Sequence, residues 1–134
     1  MLKIKSVLTL VLSLFTLAAF ASETPQISQQ DLLAALDRGA NNVVLLDVRS
    51  EDEYNDGHIA GAINVSHNKV AENLSQLTQY KKSTVVVYCR SGRRAGIAEN
   101  ILSENGFKDL RHLTGDMNGW LAAKLPVVNN EHAH

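Results

Sequence analysis

The chain of 134 residues contains one cysteine, Cys89. No intramolecular disulfide can form, so this thiol is an intermolecular partner, an inert core residue or a group kept for chemistry. An excess of basic residues is also missing: 13 Lys and Arg stand against 14 Asp and Glu, a formal charge of −1. That balance excludes the cationic footprint of a nucleic-acid binder. No internal repeat or low-complexity stretch is present. The apolar run Val7 to Phe20 falls short of the roughly 20 residues that span a bilayer, and no cysteine follows it to carry a lipid.

What is there begins with an export signal. Lys3 and Lys5 precede the apolar run, and Ala19-Phe20-Ala21 places small residues where a signal peptidase reads. Residues 1–21 are expected to be a signal peptide cleaved after Ala21, giving a periplasmic or secreted protein with no membrane association after cleavage. Removal of Lys3 and Lys5 shifts the formal charge from −1 to −3. With 45% hydrophobic and 20% charged residues, the remainder fits one globular domain. Residues 22–27 read as a linker, 28–126 as the domain and 127–134 as a frayed polar tail.

Within the domain, helix and strand patterns alternate. Ser28 caps a helix that Gly39 stops, with Leu32, Leu33 and Leu36 on its apolar face. Val43 to Leu46 and Thr84 to Tyr88 are continuous apolar runs, as in strands buried on both faces. Glu51 to Asn55 reads as a short helical turn, Ala62 to Val65 and Leu110 to Leu113 as short strands. Asn68 to Tyr80 carries Val70, Leu74 and Leu77 at helical spacing. A helix from Arg93 presents Ile97, Ala98, Ile101 and Leu102 on one face and ends at Asn105-Gly106. This pattern predicts an α/β fold, a mostly parallel central sheet with helices on both faces.

Ligands of such sheets bind beyond the carboxyl ends of the strands, and Cys89 lies at one of those ends. It opens the run Cys89-Arg90-Ser91-Gly92-Arg93-Arg94-Ala95, between the strand and the helix that follows. Helix N-terminal amides and neighbouring guanidinium groups favour a thiolate there. A small buried hydrophobe would be the bland alternative, but it has no use for three adjacent arginines. The local positive charge on an acidic background suits a small anion.

Three stretches resemble the rhodanese-like sulfurtransferases of the exported single-domain kind. Leu45-Leu46-Asp47-Val48-Arg49, with Glu53-Tyr54 and Gly57-His58-Ile59-Ala60-Gly61-Ala62-Ile63-Asn64, is similar to the family's first signature. Cys89 to Arg94 is similar to its active-site loop, and Gly115-Asp116-Met117-Asn118-Gly119-Trp120 to its C-terminal signature. Asp116 departs from it where the family more often has a second glycine, which bears on the local turn geometry. The resemblance implies a single rhodanese-like domain in which Cys89 takes a sulfane sulfur from a small anionic donor such as thiosulfate, holds it as a persulfide, and passes it to a thiophilic acceptor such as cyanide, a thiol or a protein thiol.

In that reading the amides of Ser91 to Ala95 hold the charged sulfur, and Gly92 lets the backbone fold tightly around it. Arg94 closes the loop, steadying it or meeting the donor, and Arg90 and Arg93 attract substrate from solvent. Asp47, Arg49 and Glu53 are expected to brace the loops through charge-assisted contacts. His58 is expected to be a hydrogen-bonded structural histidine and Trp120 core packing near the site. No cofactor is implied, and His132 with His134 lacks the third ligand a zinc site needs. Two alternatives remain. A phosphatase or arsenate reductase would place the loop arginine six positions after the cysteine, where this chain has Ala95, Arg94 being at the fifth. A non-catalytic sulfur-carrier or regulatory module would share the loop without turnover.

The signal-peptide reading has a direct check: N-terminal sequencing of the exported protein should begin at Ser22. Recovery of the full-length chain in the membrane fraction would show an anchor instead.

Overall fold

A computed structural model describes residues 23–39 and 41–130; residues 1–21, expected above to be a signal peptide, and His132 and His134 lie outside the described residues. Five parallel strands form one sheet in the order β1-β5-β4-β2-β3. They are β1 (Gln26–Ile27), β2 (Val43–Asp47), β3 (Ile63–Asn64), β4 (Thr84–Tyr88) and β5 (Leu110–Leu113). The helices are α1 (Gln29–Asp37), α2 (Glu51–Asp56), α3 (Leu74–Leu77), α4 (Arg93–Glu104) and α5 (Asp116–Ala122).

Alternation of side chains along a strand divides the core in two. Val85, Val87 and Cys89 join Leu46, Val70, Leu77, Ala95, Ala98 and Leu102 on one face of the sheet. Val86 and Tyr88 join Leu32, Leu45, Met117 and Trp120 on the other. Both faces of β4 are therefore covered, which is why its sequence is uninterruptedly apolar up to Cys89. Ser28 caps α1 by accepting from the Asp31 N–H at 3.0 Å. Ser50 and Glu53 form a capping box at the start of α2.

Four expectations are corrected. Residues 22–27 are not all linker: Gln26 and Ile27 form β1, in register with His112 and Leu113 of β5. Asn68 to Tyr80 is not one helix but 3₁₀ turns at His67–Lys69, Ala71–Asn73 and Thr78–Tyr80 around the four-residue α3. Val70 and Leu77 are buried as their spacing predicts. The Asn73 side chain, however, donates to the Lys69 carbonyl at 2.8 Å, one of the local bonds by which such residues compete with a continuous helix. Ile97, expected on the buried face of α4, is 38% exposed, while Ala95, Ala98 and Leu102 are buried.

The fourth correction concerns the polar tail. The Val128 N–H donates to the His58 carbonyl at 2.9 Å and the Val128 carbonyl accepts from the His58 N–H at 2.8 Å, and the Asn130 side chain donates to Asn55 Oδ1 at 3.0 Å. The Trp120 indole N–H donates to the Pro126 carbonyl at 2.9 Å, turning the chain back toward α2. Sequence composition hid the Val128–His58 pair because its two bonds are backbone bonds, indifferent to side-chain type. Truncation after Pro126 removes the two His58 bonds and should lower stability by about 1–3 kcal/mol, read as a shift of the urea midpoint at constant slope. An unchanged midpoint would return Val127 onward to a frayed tail.

Candidate functional site

Cys89 directly follows β4 and Arg93 opens α4, so the intervening turn joins the carboxyl end of a central strand to a helix N-terminus. Gly92 adopts φ of +118°, a region open to glycine and strained for other residues. Its N–H donates to Cys89 Sγ at 3.0 Å. The first helical bond of α4 runs from the Gly96 N–H to the Gly92 carbonyl, so the amides of Arg93, Arg94 and Ala95 belong to the turn that lacks intrahelical partners.

The loop's carbonyls are drawn the opposite way. Met117 and Asn118, in the first turn of α5, donate their N–H groups to the carbonyls of Cys89 and Arg90 at 2.9 and 3.0 Å. Turning the oxygens toward α5 removes negative partial charge from the sulfur side. Cys89 itself is 1% exposed and packs against the core. Burial of this kind also suits an inert thiol; what sets this one apart is the amide on its sulfur and the helix terminus beside it.

Salt bridges brace the surroundings. Arg94 donates from both terminal nitrogens to Glu53, at 2.7 and 3.1 Å. That hydrogen bond, opposed by desolvation, holds the Glu53 carboxyl down at about 2. Glu53 also completes the capping box of α2, so one carboxylate ties that helix to the loop. Arg94 is thus committed to steadying the turn. Asp47, fully buried, accepts from Arg49 Nε and from Nη2 at 2.6 Å, while Nη2 also donates to the Gly57 carbonyl at 2.8 Å. His58 stacks on Tyr54 with ring centroids 3.6 Å apart, and its Nδ1 lies 2.7 Å from the Tyr54 carbonyl. Trp120 lies in the core on the α1/α5 side of the sheet.

Arg90, Ser91 and Arg93 are exposed, and neither arginine is salt-bridged among the described residues. Arg90 lines a cleft of about 280 Å³ with Arg49, Glu53, Met117, Leu121 and Val127. Among the described residues no group of His, Cys, Asp and Glu is arranged to hold a metal ion.

Sequence reading missed Glu99 and His112 and gave Asp116 only a role in turn geometry. Asp116 does occupy the left-handed region, at φ of +52° after Gly115 at +83°. Its Oδ1 accepts from the Cys89 N–H at 2.9 Å, and its Oδ2 lies 2.9 Å from His112 Nε2. On the other side of the ring, His112 Nδ1 lies 2.7 Å from Glu99 Oε2. An added Cβ on Gly92 would stand 3.3 Å from Asp116 Oδ2, so a side chain there would crowd this carboxylate. Glu99 follows Ala98 of the apolar face of α4, but nothing in the sequence names its partner.

Hydrogen bonds from Asp116 and Glu99 outweigh desolvation and push the His112 imidazole from 6.5 up to about 10. Folded His112 holds its proton more tightly than the unfolded chain does. The resulting stabilisation is complete below about pH 6.5 and is lost as pH rises toward about 10. Unfolding free energies from urea titrations across that window should therefore fall with pH by an amount on the order of a few kcal/mol, and His112→Gln should flatten the decline. An equal decline in the variant would assign the effect to other groups.

Comparison with known proteins places this geometry. A family model described as the Rhodanese-like domain matches residues 28–123. Thiosulfate sulfurtransferase PspE of Escherichia coli (strain K12) is 39% identical over 70 residues, 52% of this chain and 67% of that protein. Thiosulfate:glutathione sulfurtransferase of Saccharomyces cerevisiae (strain ATCC 204508 / S288c) is 28% identical over 106 residues, 71% of this chain and 76% of that one. The chain spans about two thirds of the length of several curated relatives from Escherichia coli. The rhodanese-like domain of the Anabaena sp Alr3790 protein has a TM-score of 0.70 at 28% identity, covering 82% of this chain and 83% of that one. The match runs from the cap of α1 past the end of α5 and takes in the whole cysteine loop: the chain belongs to the rhodanese-like domain family.

Proposed function

We propose that the protein is a sulfurtransferase working through a Cys89 persulfide. The observation that carries the reading is the Gly92 amide 3.0 Å from Cys89 Sγ at the head of α4, a setting that stabilises charge on sulfur. The names of the relatives supply the sulfur chemistry.

In the first half-reaction the Cys89 thiolate attacks the outer sulfur of thiosulfate. A Cys–S to S bond forms, the sulfur–sulfur bond of the donor breaks, and sulfite leaves with the bonding pair. Negative charge then resides on the terminal sulfur, where loop amides stabilise it. In the second half-reaction cyanide or a thiolate attacks that terminal sulfur. The persulfide bond breaks, thiocyanate or an acceptor persulfide departs, and the electron pair returns to Cys89. No proton need move when both nucleophiles are anions. Arg90 and Arg93, exposed at the loop, draw the anionic donor in; Arg94 keeps the turn in shape through Glu53. Export to the periplasm or exterior, with removal of residues 1–21, completes the proposal.

The deep burial of Cys89 favours reagents small enough to enter the loop. Thiocyanate formation from thiosulfate and cyanide should be measurable for the native protein and fall to the uncatalysed level in Cys89→Ser. Intact mass after thiosulfate alone should show the gain of one sulfur atom, absent in the variant. An adduct without thiocyanate would identify a sulfur carrier, and turnover retained by Cys89→Ser would overturn the mechanism.

A further inference from the structure

Beside Gly92 of the cysteine loop, Glu99, His112 and Asp116 form a continuous set of side chains joining α4, β5 and α5. Glu99 is 4% and Asp116 3% exposed. Each ring nitrogen of His112 meets a carboxylate, 2.7 Å to Glu99 and 2.9 Å to Asp116. An ionised carboxylate only accepts hydrogen bonds, so both nitrogens donate, and the ring that satisfies both partners is the imidazolium.

One further charged residue shares the surroundings of the ring: Glu23, exposed, lines a cavity with His112 and Glu99, and a carboxylate there also favours the imidazolium. β1 and β4 place Gln26 and Val87 beside His112, and the loop presents Gly92, whose lack of a side chain leaves the Asp116 carboxylate room. Arg94 on α4 is the cation whose charge interacts with Cys89. Asp116 reaches Cys89 from behind, with Oδ1 on its N–H. A carboxylate so placed has two opposing effects. It fixes the peptide from which the nucleophile projects, and its charge works against an anionic sulfur. The imidazolium removes the second effect and keeps the first.

We propose that Asp116 is a positioning residue for the Cys89 thiolate: Oδ1 fixes the Cys89 amide, while His112, held as an imidazolium between Asp116 and Glu99, neutralises the charge of the carboxylate that does so. The proposal rests on Cys89 being the reacting thiol. It does not require thiosulfate as donor, and it can be tested with no sulfur donor present, so its failure is distinguishable from failure of the sulfurtransferase reading.

The test is the rate of iodoacetamide alkylation of Cys89 at pH 7. His112→Gln offers an amide that can still donate to Asp116 but brings no charge, and alkylation should slow about tenfold, the factor expected of one unfavourable charge nearby. Adding Asp116→Asn to the same chain keeps an acceptor for the Cys89 N–H and removes the carboxylate charge. The double variant should recover to within about threefold of the native rate. A purely structural role gives the reverse order, because the double variant has lost more native contacts. A folded His112→Gln protein that alkylates at the native rate, or a double variant as slow as the single one, overturns the proposal. Nitrogen NMR of the native protein decides the matter even where His112→Gln does not fold: the His112 ring should be doubly protonated at pH 8, and a neutral ring there overturns the proposal.

Discussion

The ladder that β4 forms with β2 on one side and β5 on the other determines everything that happens at its end. Five residues of β4 pair with β2 and three with β5, and both faces are packed, so the strand cannot slide by one residue without exchanging the side chains of its two faces, Tyr88 and Cys89 among them. Cys89, the residue after that ladder, inherits its position from it. The turn into α4 then brings the amides of a helix N-terminus to the same point.

Around that point the molecule separates opposite charges with care. Carbonyls of Cys89 and Arg90 turn to α5 and the Gly92 amide turns to sulfur. Each buried or half-buried ion has a partner: Arg49 with Asp47, Arg94 with Glu53, His112 with Asp116 and Glu99. Among the described residues no buried side-chain polar atom lacks a hydrogen bond. The turn is thus held from α2 by Glu53 on Arg94 and from α5 by Asp116 on the Cys89 N–H and by the Met117 and Asn118 amides, which limits the conformations open to it.

Much of this was legible in the sequence and some was not. Apolar runs and caps gave β2, β4, β5, α1 and α4 because burial on both faces and capping leave a direct mark on residue type. Cys89, Arg94 and Glu53 were recognisable from their motifs. β1 and the Val128 bridge left no such mark, since two residues of backbone pairing ask little of side chains. The run from Asn68 to Tyr80 had correct anchors and the wrong continuity, as Asn73 illustrates. Glu99 and His112 were invisible for a different reason. They lie 13 residues apart and become partners only when α4 folds back beside β5, so neither the acid nor the histidine announces the other.

Both edges of the sheet are made of two-residue strands, β1 beside β5 and β3 beside β2. An edge that short presents very little unsatisfied backbone to a neighbouring molecule, and stacking of one sheet onto the next finds no template of useful length. The long strands that carry the sticky apolar sequences, β2 and β4, sit inside. Once folded, the chain is thereby shielded from growing into a fibre by its own sheet.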